Sequence, residues 1–582
     1  MKSIYPSKIL KKYTSQSFDI GDDVKTCDPF TISNAFCEFF TGIVKTLKEK
    51  ATPLCDLVWR TPGNISRRTE QNFKFQTVAK SEVERHLKSI KRSKTTGSDD
   101  LPPGLLNDSA ELIATPLTHL INLSLTTNVF PTDWKIAKII PIYKSGSRSN
   151  LDNYRPISIL PVLSKIIEKI IHRQLMSFLD RNSLLSPSQF GFRRGLSTEL
   201  AATLLLDDMR KEVDAGKLVG AVFIDLSKAF DTISHAKLLE KLSQYGVNDG
   251  ELEWFKDYLF SRKATVSYNN CTSGVCEIYT GVPQGSILGL LLFLIFFNHI
   301  TDEINHAKIV KYADDTVLYV ADKETQSIQI QLVMDMESIA IWLKENELII
   351  NLKKGKTESL LLGTAKRRNM QSEPLEVTIP CPDRITINGT NEYKYLGVYV
   401  DGTLNLNFQF EKCFKKASGR LRLLVKIRDH LDLPSAKVIY RAMIMPIFTY
   451  CGILQLNPNR SQLNRLSSFH DRSISVVFIG KHASQNLPTV VNANKSRACK
   501  LVRKCLNNDI CDSFKTYFTF QNHAREMRNN KYLLKLPTIR TEYARKSFYF
   551  MGAKLYNDLP LELRKIESYR DFENSITEHF NL

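Results

Sequence analysis

The sequence lacks the features that mark membrane-spanning, secreted and fibrous proteins. Its longest apolar run, Ile287 to Phe297, covers 11 residues, well short of the roughly 20 that a spanning helix requires. The N-terminal segment MKSIYPSKILKKYTSQ has no continuous apolar core, so we expect no secretory leader. With 43% hydrophobic and 24% charged residues and no repeat period, the composition disfavours collagen, coiled-coil and wholly disordered chains.

Paired cysteine spacing is absent as well. The 11 cysteines are odd in number and scattered, which disfavours a disulfide framework and predicts a reducing compartment. Cys499, Cys505 and Cys511 follow each other at intervals of six residues, which is neither a CxxC nor a Cys/His zinc pattern. We therefore predict that these three are ordinary buried or free thiols.

Basic charge is concentrated in the last third of the chain. The 582 residues suggest two to four domains, or subdomains around one large core. Residues 401–582 contain 30 Lys and Arg against 15 Asp and Glu, whereas the first 400 contain 50 against 46. This asymmetry favours a polyanion held by the C-terminal third, although a solubilising basic surface is the plainer alternative.

Helical and strand patterns alternate without a regular βαβ rhythm, which predicts an α+β fold. Strand patterns occupy 134–144, 218–226, 350–363 and 394–401, and 306–322 has the pattern of a hairpin with Ala-Asp-Asp at its tip. Helical patterns occupy 32–47, a stretch ending near Thr127, 162–179, a segment from about Ser227, and 328–348.

After Asp401 the patterns are mainly helical. The first helix combines an apolar stripe with cations on its remaining surface: Phe410, Phe414, Ala417, Leu421 and Leu424 for the stripe, and Lys412, Lys416, Arg420, Arg422 and Lys426 for the cations. Such a helix can pack on a core while it presents cations to a nucleic-acid backbone. The alternative is an ordinary solvated helix face.

Two carboxylate sites carry the sharpest chemical signal. Asp225 ends the apolar strand AVFID, and Asp314 and Asp315 lie at the turn of KYADDTVLY. Two such strand ends side by side would repel each other unless a divalent cation lay between them, and Mg²⁺ prefers carboxylate oxygens. Two ions about 4 Å apart can clamp an in-line phosphoryl displacement. Taken alone, however, Asp-Asp at a hairpin tip is also favourable turn chemistry.

The segments around the carboxylates add candidate binding residues. Phe230 follows the first carboxylate by five residues, close enough to contact a nucleotide held there. Between the two sites lies GVPQGSILG at 281–289, in which Gly281 and Gly285 allow close backbone approach and Gln284 offers a donor and an acceptor. A buried turn around a core strand is the alternative for this segment.

Taken together, these residues resemble the reverse transcriptases of non-LTR retrotransposons, most closely the jockey-like group of animal elements. The matching stretches occur in the family's order over about 124–400: KIIPIYKSGSRSNLDNYRPISIL, SQFGFRRGLSTE, FIDLSKAFDTISH, GVPQGSILG, YADD, NLKKGKTE and YKYLGVYV. Any one stretch could arise by chance, but seven in order form a highly specific set.

The resemblance implies a right-hand polymerase fold with fingers, palm and thumb. We expect an N-terminal helical extension over 1–92, a connector and lead-in helix over 93–123, fingers and palm over 124–400, and a thumb with a basic helical region over 401–582. It implies an RNA-directed DNA polymerase that uses two Mg²⁺ ions, with Mn²⁺ as a substitute. Its partners would be an RNA template, a DNA primer and dNTPs, without a membrane.

The resemblance also implies roles for individual residues. Asp225 and Asp314 are expected to be the principal metal ligands, with Asp315 beside them. Phe230 would be the steric gate against ribonucleotides, and Gln284 with Gly285 would line the nucleotide pocket.

Three basic residues match family positions that contact phosphate. Lys144 and Arg155 would hold the triphosphate, which suits their positive charge. Lys356 would protonate the departing pyrophosphate, and its neighbours Lys353 and Lys354 are alternatives for that role. Each of these cations is otherwise a solvated surface charge.

Two departures from the family pattern are visible. Leu290 follows Gly289 where the family usually has Pro, so we expect altered packing rather than lost chemistry. The roughly 85 residues before the connector are too few for the family's endonuclease domain, so we expect that activity to be supplied elsewhere. We expect an intracellular, soluble protein, in the nucleus or cytoplasm as a ribonucleoprotein.

Three rival hypotheses remain open at this level. They are an inactive remnant that only binds nucleic acid, a maturase-like protein acting on RNA folding or splicing, and an RNA-templated RNA polymerase. The intact carboxylates favour the polymerase over the remnant.

Overall fold

The computed structural model of the protein describes residues 17–20, 25–50, 67–369, 375–380, 385–478, 487–521 and 532–582. Parts of the predicted helical extension over 1–92, namely 1–16, 21–24 and 51–66, lie outside the described residues. Helices and strands are mixed along the chain without a βαβ order, so the predicted α+β class is confirmed.

The elements are numbered in chain order. Up to residue 224 they are β1 (Phe18–Asp19), β2 (Lys25–Thr26), α1 (Pro29–Lys50), α2 (Lys80–Lys88), α3 (Pro103–Asp108), α4 (Ala110–Thr127), β3 (Ile136–Tyr143), β4 (Tyr154–Ile159), α5 (Val162–Arg181), α6 (Thr198–Asp214) and β5 (Leu218–Ile224). From 235 to 401 they are α7 (His235–Gln244), α8 (Asp249–Leu259), β6 (Arg262–Tyr268), β7 (Cys271–Thr272), β8 (Cys276–Ile278), α9 (Leu288–Phe297), β9 (Lys308–Tyr312), β10 (Asp315–Asp322), α10 (Thr325–Glu345), β11 (Glu358–Leu362), α11 (Ala365–Asn369), β12 (Val377–Ile379), β13 (Ile385–Ile387), β14 (Gly389–Thr390), β15 (Glu392–Tyr395) and β16 (Val398–Asp401). Beyond 401 they are α12 (Asn407–Ile427), α13 (Leu433–Ile439), α14 (Met445–Thr449), α15 (Arg460–Phe478), α16 (Val490–Leu506), α17 (Asp512–Lys515), α18 (Phe548–Asn557), α19 (Leu561–Lys565) and α20 (Tyr569–His579).

The chain divides into two compact units. Unit 1 comprises residues 1–186, 226–300 and 341–349, and unit 2 comprises 187–225, 301–340 and 350–582. Each unit contains one large sheet, and each is described by itself.

In unit 1 the sheet has the strand order β4-β3-β6-β7, with β8 also paired to β6. β3 and β4 form an antiparallel pair, whereas β3 and β6 are parallel. α1 packs on this sheet through Phe36 and Phe40, which share a buried cluster with Ile139, Tyr154 and Val266. The N-terminal helix is therefore part of the core of unit 1.

In unit 2 the sheet has the strand order β14-β11-β5-β10-β9, and β5 lies at its centre. All seven residues of β5 are buried, which explains why LVGAVFI is continuously apolar rather than alternating. Both flanking strands, β10 and β11, run antiparallel to β5. The predicted strand at 218–226 and the hairpin at 306–322 are thus confirmed.

One predicted helix begins later than its pattern indicated. The sequence after β5 was expected to be helical from about Ser227, but α7 begins at His235. The backbone between them forms turns that bond to a distant segment: the Gly281 amide donates to Ile233 O and the Val282 amide donates to Phe230 O. Because those carbonyls accept from a distant segment, they are not used in a regular helix.

The predicted pattern of α12, an apolar stripe with cations on the remaining surface, is confirmed. Phe410, Ala417, Leu421 and Leu424 are buried in a cluster with α13, α14 and α15, and Phe414 packs against that cluster. The cations lie on the remaining surface, where Lys412, Lys416, Arg422 and Lys426 are exposed and Arg420 is partly so.

The cysteines follow the sequence expectation with one exception. Cys499 and Cys505 are buried free thiols and Cys511 is a partly buried one, as predicted. Cys37 on α1 is disulfide-bonded to Cys276 on β8, a pairing that the scattered spacing did not indicate. Within the described ranges, no helix is both long and apolar enough to cross a bilayer.

A buried ion pair ties α6 to the C-terminal helices of unit 2. The Asp207 carboxylate accepts from the amides of Phe548 and Tyr549 at the start of α18, at 2.9 Å each. Arg210 lies 3.8 Å from this carboxylate and donates to the carbonyls of Lys546 and Leu404. Burial raises the pKa of Asp207 to about 6, although Arg210 and the two amides oppose the shift.

We predict that D207N destabilises the protein by roughly 1–3 kcal/mol, because the NH₂ of the new side chain would face one of the two backbone amides, of Phe548 and Tyr549, that now donate to the carboxyl. Since the native pKa is raised, wild-type Asp207 binds a proton more tightly in the folded protein than in the unfolded chain. The free energy of unfolding gained from this proton is lost as pH rises through about 6. The cost of D207N should therefore be about 1 kcal/mol larger at pH 5 than at pH 7.5.

Urea unfolding at the two pH values measures this difference. The control is D512N, whose aspartate is exposed on α17 and forms an ion pair with Lys515; it should leave the free energy of unfolding nearly unchanged at either pH. An equal cost of D207N at both pH values would contradict the prediction.

Candidate active site

The candidate site of unit 2 begins where β5 ends. Asp225 is the first residue after this strand, and its neighbours on both sides are buried. Its amide donates to Thr357 Oγ1 and its carbonyl accepts from the Asn351 amide. The backbone of Asp225 is therefore fixed by the segment that leads into β11.

Both carboxylate oxygens of Asp225 have protein partners. Lys356 Nζ lies 3.3 Å from Oδ1 and Asn351 Nδ2 donates to Oδ2 at 2.7 Å. The side chain of Asp225 retains 22% of its exposure and that of Lys356 retains 36%. A half-buried carboxylate is costly unless it is paired, and these two donors supply the pairing. They bring together two of the predicted catalytic residues, Asp225 and Lys356.

Asp314 and Asp315 lie at the turn between β9 and β10, as predicted. Ala313 adopts φ of 58°, a left-handed conformation that costs a non-glycine residue free energy. Gln189 compensates for this from a distant segment: its Oε1 accepts from the Ala313 amide at 2.9 Å and its Nε2 donates to the Ala313 carbonyl at 3.2 Å. A Cβ on Gly191 would lie 2.3 Å from the same Ala313 amide nitrogen.

The electrostatics indicate that the carboxylates share one negative region. The pKa of Asp315 is raised to about 6, first by partial loss of hydration and then by the charges of Asp314 and Asp225, while Lys356 opposes the shift. The carboxyl remains accessible to solvent, so its loss of hydration is incomplete.

Two tyrosines of β15 experience the same negative region. Burial raises the pKa of Tyr393, and the charges of Asp225 and Asp315 raise it further. The pKa of Tyr395 is raised by burial and by the charge of Asp315. Tyr393 stacks on Phe223 at a centroid distance of 4.1 Å and donates to the Lys356 carbonyl, so it links β5 to the lysine segment.

The donor set fits a hard divalent cation in its chemistry. Asp225, Asp314 and Asp315 offer carboxylate oxygens, the ligands that Mg²⁺ prefers, and their mutual repulsion would be relieved by positive charge. Among the described residues, however, no group of three or more Asp, Glu, His or Cys side chains is arranged closely enough to hold an ion. Lys356 and Asn351 donate hydrogen bonds to the Asp225 carboxylate oxygens instead.

In unit 1, the predicted triphosphate ligands lie at one end of the β3–β4 hairpin. Lys144 follows β3 directly, and its amide donates to the Asn153 carbonyl at 2.8 Å. Arg155 on β4 pairs in register with Ile142. Both cations are exposed, so they are accessible to a dissolved anion.

Phe230, Gln284 and Gly285 lie together in unit 1. The half-buried Phe230 ring stacks on Phe293 of α9 at 4.2 Å. The Gln284 carbonyl accepts from the Ser158 amide of β4, and a Cβ on Gly285 would lie 2.3 Å from the Ser158 carbonyl. At φ of 126°, position 285 favours glycine twice over, by conformation and by space.

Leu290, the departure from the family pattern, is the third residue of α9. The side chain of Leu290 is partly buried, and the adjacent residues Gly289 and Leu291 are fully buried. The helix is intact around it.

Sequence reasoning missed several supporting residues. Gln189 lies in the stretch SQFGFRRG and Asn351 in NLKKGKTE, so both were inside recognised motifs without an assigned role. Asp231 follows Phe230 directly, and its role depends on a partner 53 residues away. No local pattern could have identified these pairings.

Known proteins are similar to this chain over the segment that contains these residues. Residues 142–400 match the family described as reverse transcriptase (RNA-dependent DNA polymerase). The chain is 27% identical over 442 aligned residues to a probable RNA-directed DNA polymerase from transposon BS of Drosophila melanogaster, covering 72% of this chain and 46% of that protein. It is 28% identical over 410 residues to the RNA-directed DNA polymerase from mobile element jockey of Drosophila funebris, covering 67% and 42%.

A third relative is a probable RNA-directed DNA polymerase from transposon X-element of Drosophila melanogaster, 24% identical over 71% of this chain and 45% of that protein. The chain thus spans about half the length of the curated relatives it matches. Enzymes of this family generally use divalent metal ions, and they act on a nucleic-acid template and primer with nucleotide substrates.

We predict that Q189A loosens the turn that carries Asp314, because it removes the bonds to both backbone groups of Ala313. The protein should lose roughly 2 kcal/mol of unfolding free energy, and the Ala313 amide should exchange with solvent faster. The control is Q331A, since Gln331 lies in the same unit and, among the described residues, its side chain makes one hydrogen bond, to Ser327 Oγ. Unchanged protection of the Ala313 amide in Q189A would contradict this role.

Proposed function

We propose, from the premise that residues 142–400 are a reverse transcriptase domain of the non-LTR retrotransposon kind, that this chain is an RNA-directed DNA polymerase. It would transfer nucleotides from dNTPs to a primer 3′-hydroxyl on an RNA template. The observation that carries the proposal is the placement of Asp314 and Asp315 beside Asp225, since Thr316 of β10 pairs with Ile224 of β5; burial and then the charges of Asp314 and Asp225 raise the pKa of Asp315.

The proposal includes an assignment of elements to the parts of a right-hand polymerase. The sheet of unit 2 would be the palm, since it carries the carboxylates. The sheet of unit 1 would belong to the fingers, since Lys144 and Arg155 lie on its β3–β4 hairpin. The basic helices after Asp401 would include the thumb, with the cations of α12 directed at a nucleic-acid backbone.

Asp225 and Asp314 would be the principal ligands of two Mg²⁺ ions, with Asp315 beside them and Mn²⁺ as a substitute. When bound, such ions favour ionisation of the primer hydroxyl and neutralise charge on the triphosphate. The strands fix the backbone of the carboxylates, and their side chains would have to turn toward an arriving cation, which would displace Lys356 from Asp225 Oδ1.

Lys356 would serve the leaving group. Its ammonium now lies on Asp225 Oδ1 at 3.3 Å, and a cation at Asp225 would compete with that ion pair. The ammonium would then be available to donate a proton to an oxygen of the departing pyrophosphate. Lys144 and Arg155, both exposed, would bind the triphosphate by charge-assisted hydrogen bonds.

Phe230 and Gln284 would select the nucleotide. The stack of Phe230 on Phe293 restricts the ring to one orientation, as a steric barrier to a sugar 2′-hydroxyl requires. Gln284 and Gly285 would contact the incoming nucleotide from the loop between β8 and α9.

We predict that D225N and D314N each lower primer extension on an RNA template with Mg²⁺ by at least about 100-fold, because each removes a ligand charge from the reacting centre. Binding of the template–primer, measured by fluorescence anisotropy, should change less than about threefold, since phosphate contacts dominate nucleic-acid affinity. The control is D322N, whose aspartate lies at the far end of β10 and accepts hydrogen bonds from the nearby Lys323 amide and Ser327 hydroxyl; it should remain active.

Retained binding without incorporation by the wild-type chain would favour the inactive remnant over the polymerase. Full activity in D225N would remove the carboxylates from the mechanism. Incorporation of ribonucleotides in preference to dNTPs by the wild-type chain would favour an RNA-templated RNA polymerase.

We predict that F230A raises the ratio of ribonucleotide to deoxyribonucleotide incorporation by at least about tenfold, because the ring no longer occupies the space of a 2′-hydroxyl. The measurement is kcat/KM for single-nucleotide incorporation with paired rNTP and dNTP substrates. The control is F30A, at an exposed ring of α1 in the same unit. Unchanged sugar selection in F230A would contradict the role as gate.

A further inference from the structure

The side-chain amide of Gln284 is fixed by a neighbouring acid. Its Nε2 donates to both oxygens of the Asp231 carboxylate, at 2.8 Å and 2.9 Å. Both residues line a cavity of unit 1 with an empty volume of about 590 Å³, part of it open to solvent. Two bonds to one carboxylate allow a single orientation of the amide plane.

This pairing decides which end of the amide faces away from Asp231. A carboxylate accepts hydrogen bonds and does not donate them, so it binds only the NH₂ end of Gln284. The carbonyl Oε1 is thereby left outward, and no group among the described residues donates to it. Without the acid, the two ends of the amide, which are similar in size, would both be allowed to face outward.

Other groups hold the backbone of the same loop. The Ser158 amide donates to the Gln284 carbonyl, and the Gly281 and Val282 amides donate to the 230–233 turn. Beyond Gly285, the buried carboxylate of Glu168 accepts from the Ile287 amide at 2.6 Å. The Asp231 carboxylate thus bonds to the Gln284 side chain, while other groups fix the backbone path of the loop.

We propose that Asp231 is a positioning residue for nucleotide selection, which fixes Gln284 so that its carbonyl oxygen is presented to the incoming nucleotide as a hydrogen-bond acceptor. The inference rests on the proposed function of Gln284 and deepens it. Asp231 acts through Gln284 and contacts the nucleotide only by way of that amide.

The test is a double-mutant cycle on single-nucleotide incorporation with D231A, Q284A and the double variant. D231A should raise KM for dNTP about tenfold, the loss of one neutral hydrogen bond, with kcat changed less. In the Q284A background, D231A should add less than about twofold, because no amide is left to position. Effects of D231A that multiply with those of Q284A would overturn the proposal.

A matched control separates positioning from loss of stability. Asp257 lies in the same unit and accepts from the Phe130 amide and Lys135 Nζ, outside the proposed site. D257A should lower the melting temperature, leave KM for dNTP within about twofold and act independently of Q284A. If D257A raised KM as much as D231A does, a general structural effect would explain both.

A second readout does not depend on activity. With ¹⁵N-glutamine labelling, the Gln284 side-chain NH₂ should exchange slowly with solvent in the wild-type chain and at least about tenfold faster in D231A. If the wild-type chain failed to polymerise but this protection behaved as expected, the proposed function would fall and the pairing would stand. Equal exchange in both proteins would overturn the pairing itself.

Discussion

Repulsion between like charges is the constraint around which unit 2 is organised. Asp225 has a fixed backbone position because β5 is buried along its whole length and is paired on both sides. Asp314 and Asp315 are brought into the same negative region by the β9–β10 turn, where burial and then the charges of Asp314 and Asp225 raise the pKa of Asp315. Lys356 and Asn351 meet the charge of Asp225. The surroundings thus tolerate an arrangement that is intrinsically unfavourable, which is typical of functional sites.

The two units position different kinds of polar group: carboxylates in unit 2 and a neutral amide in unit 1. Unit 2 holds charge in place with strand pairing, and its supports are backbone bonds to Asp225 and Ala313. Unit 1 holds a neutral amide in place with a carboxylate, and its loop is kept close to β4 by the absence of a side chain at Gly285. In both units a residue distant in sequence fixes a short polar segment by hydrogen bonds: Gln189 bonds to Ala313 in unit 2, and Asp231 bonds to Gln284 in unit 1.

Much of the fold was predictable because the patterns are long or extreme. β5 is apolar throughout, the β9–β10 hairpin has two apolar arms around a polar turn, and α12 repeats its stripe over five positions. The late start of α7 was not predictable, because the carbonyls of Phe230 and Ile233 bond to a segment near 281 that is distant in sequence. The roles of Gln189 and Asp231 were not predicted for the same reason: each depends on a partner distant in sequence that no sequence period reveals.

The strand order of unit 2 has a consequence for synthesis on the ribosome. β5 is made first, but its two neighbours, β10 and β11, follow it by roughly 90 and 135 residues. At 5–20 residues per second, about 7–27 seconds pass before the second edge can be covered. During that interval an entirely apolar strand has open edges, which is a known route to intermolecular pairing. The exposure of β5 to other chains is therefore greatest during synthesis, before β10 and β11 pair with it.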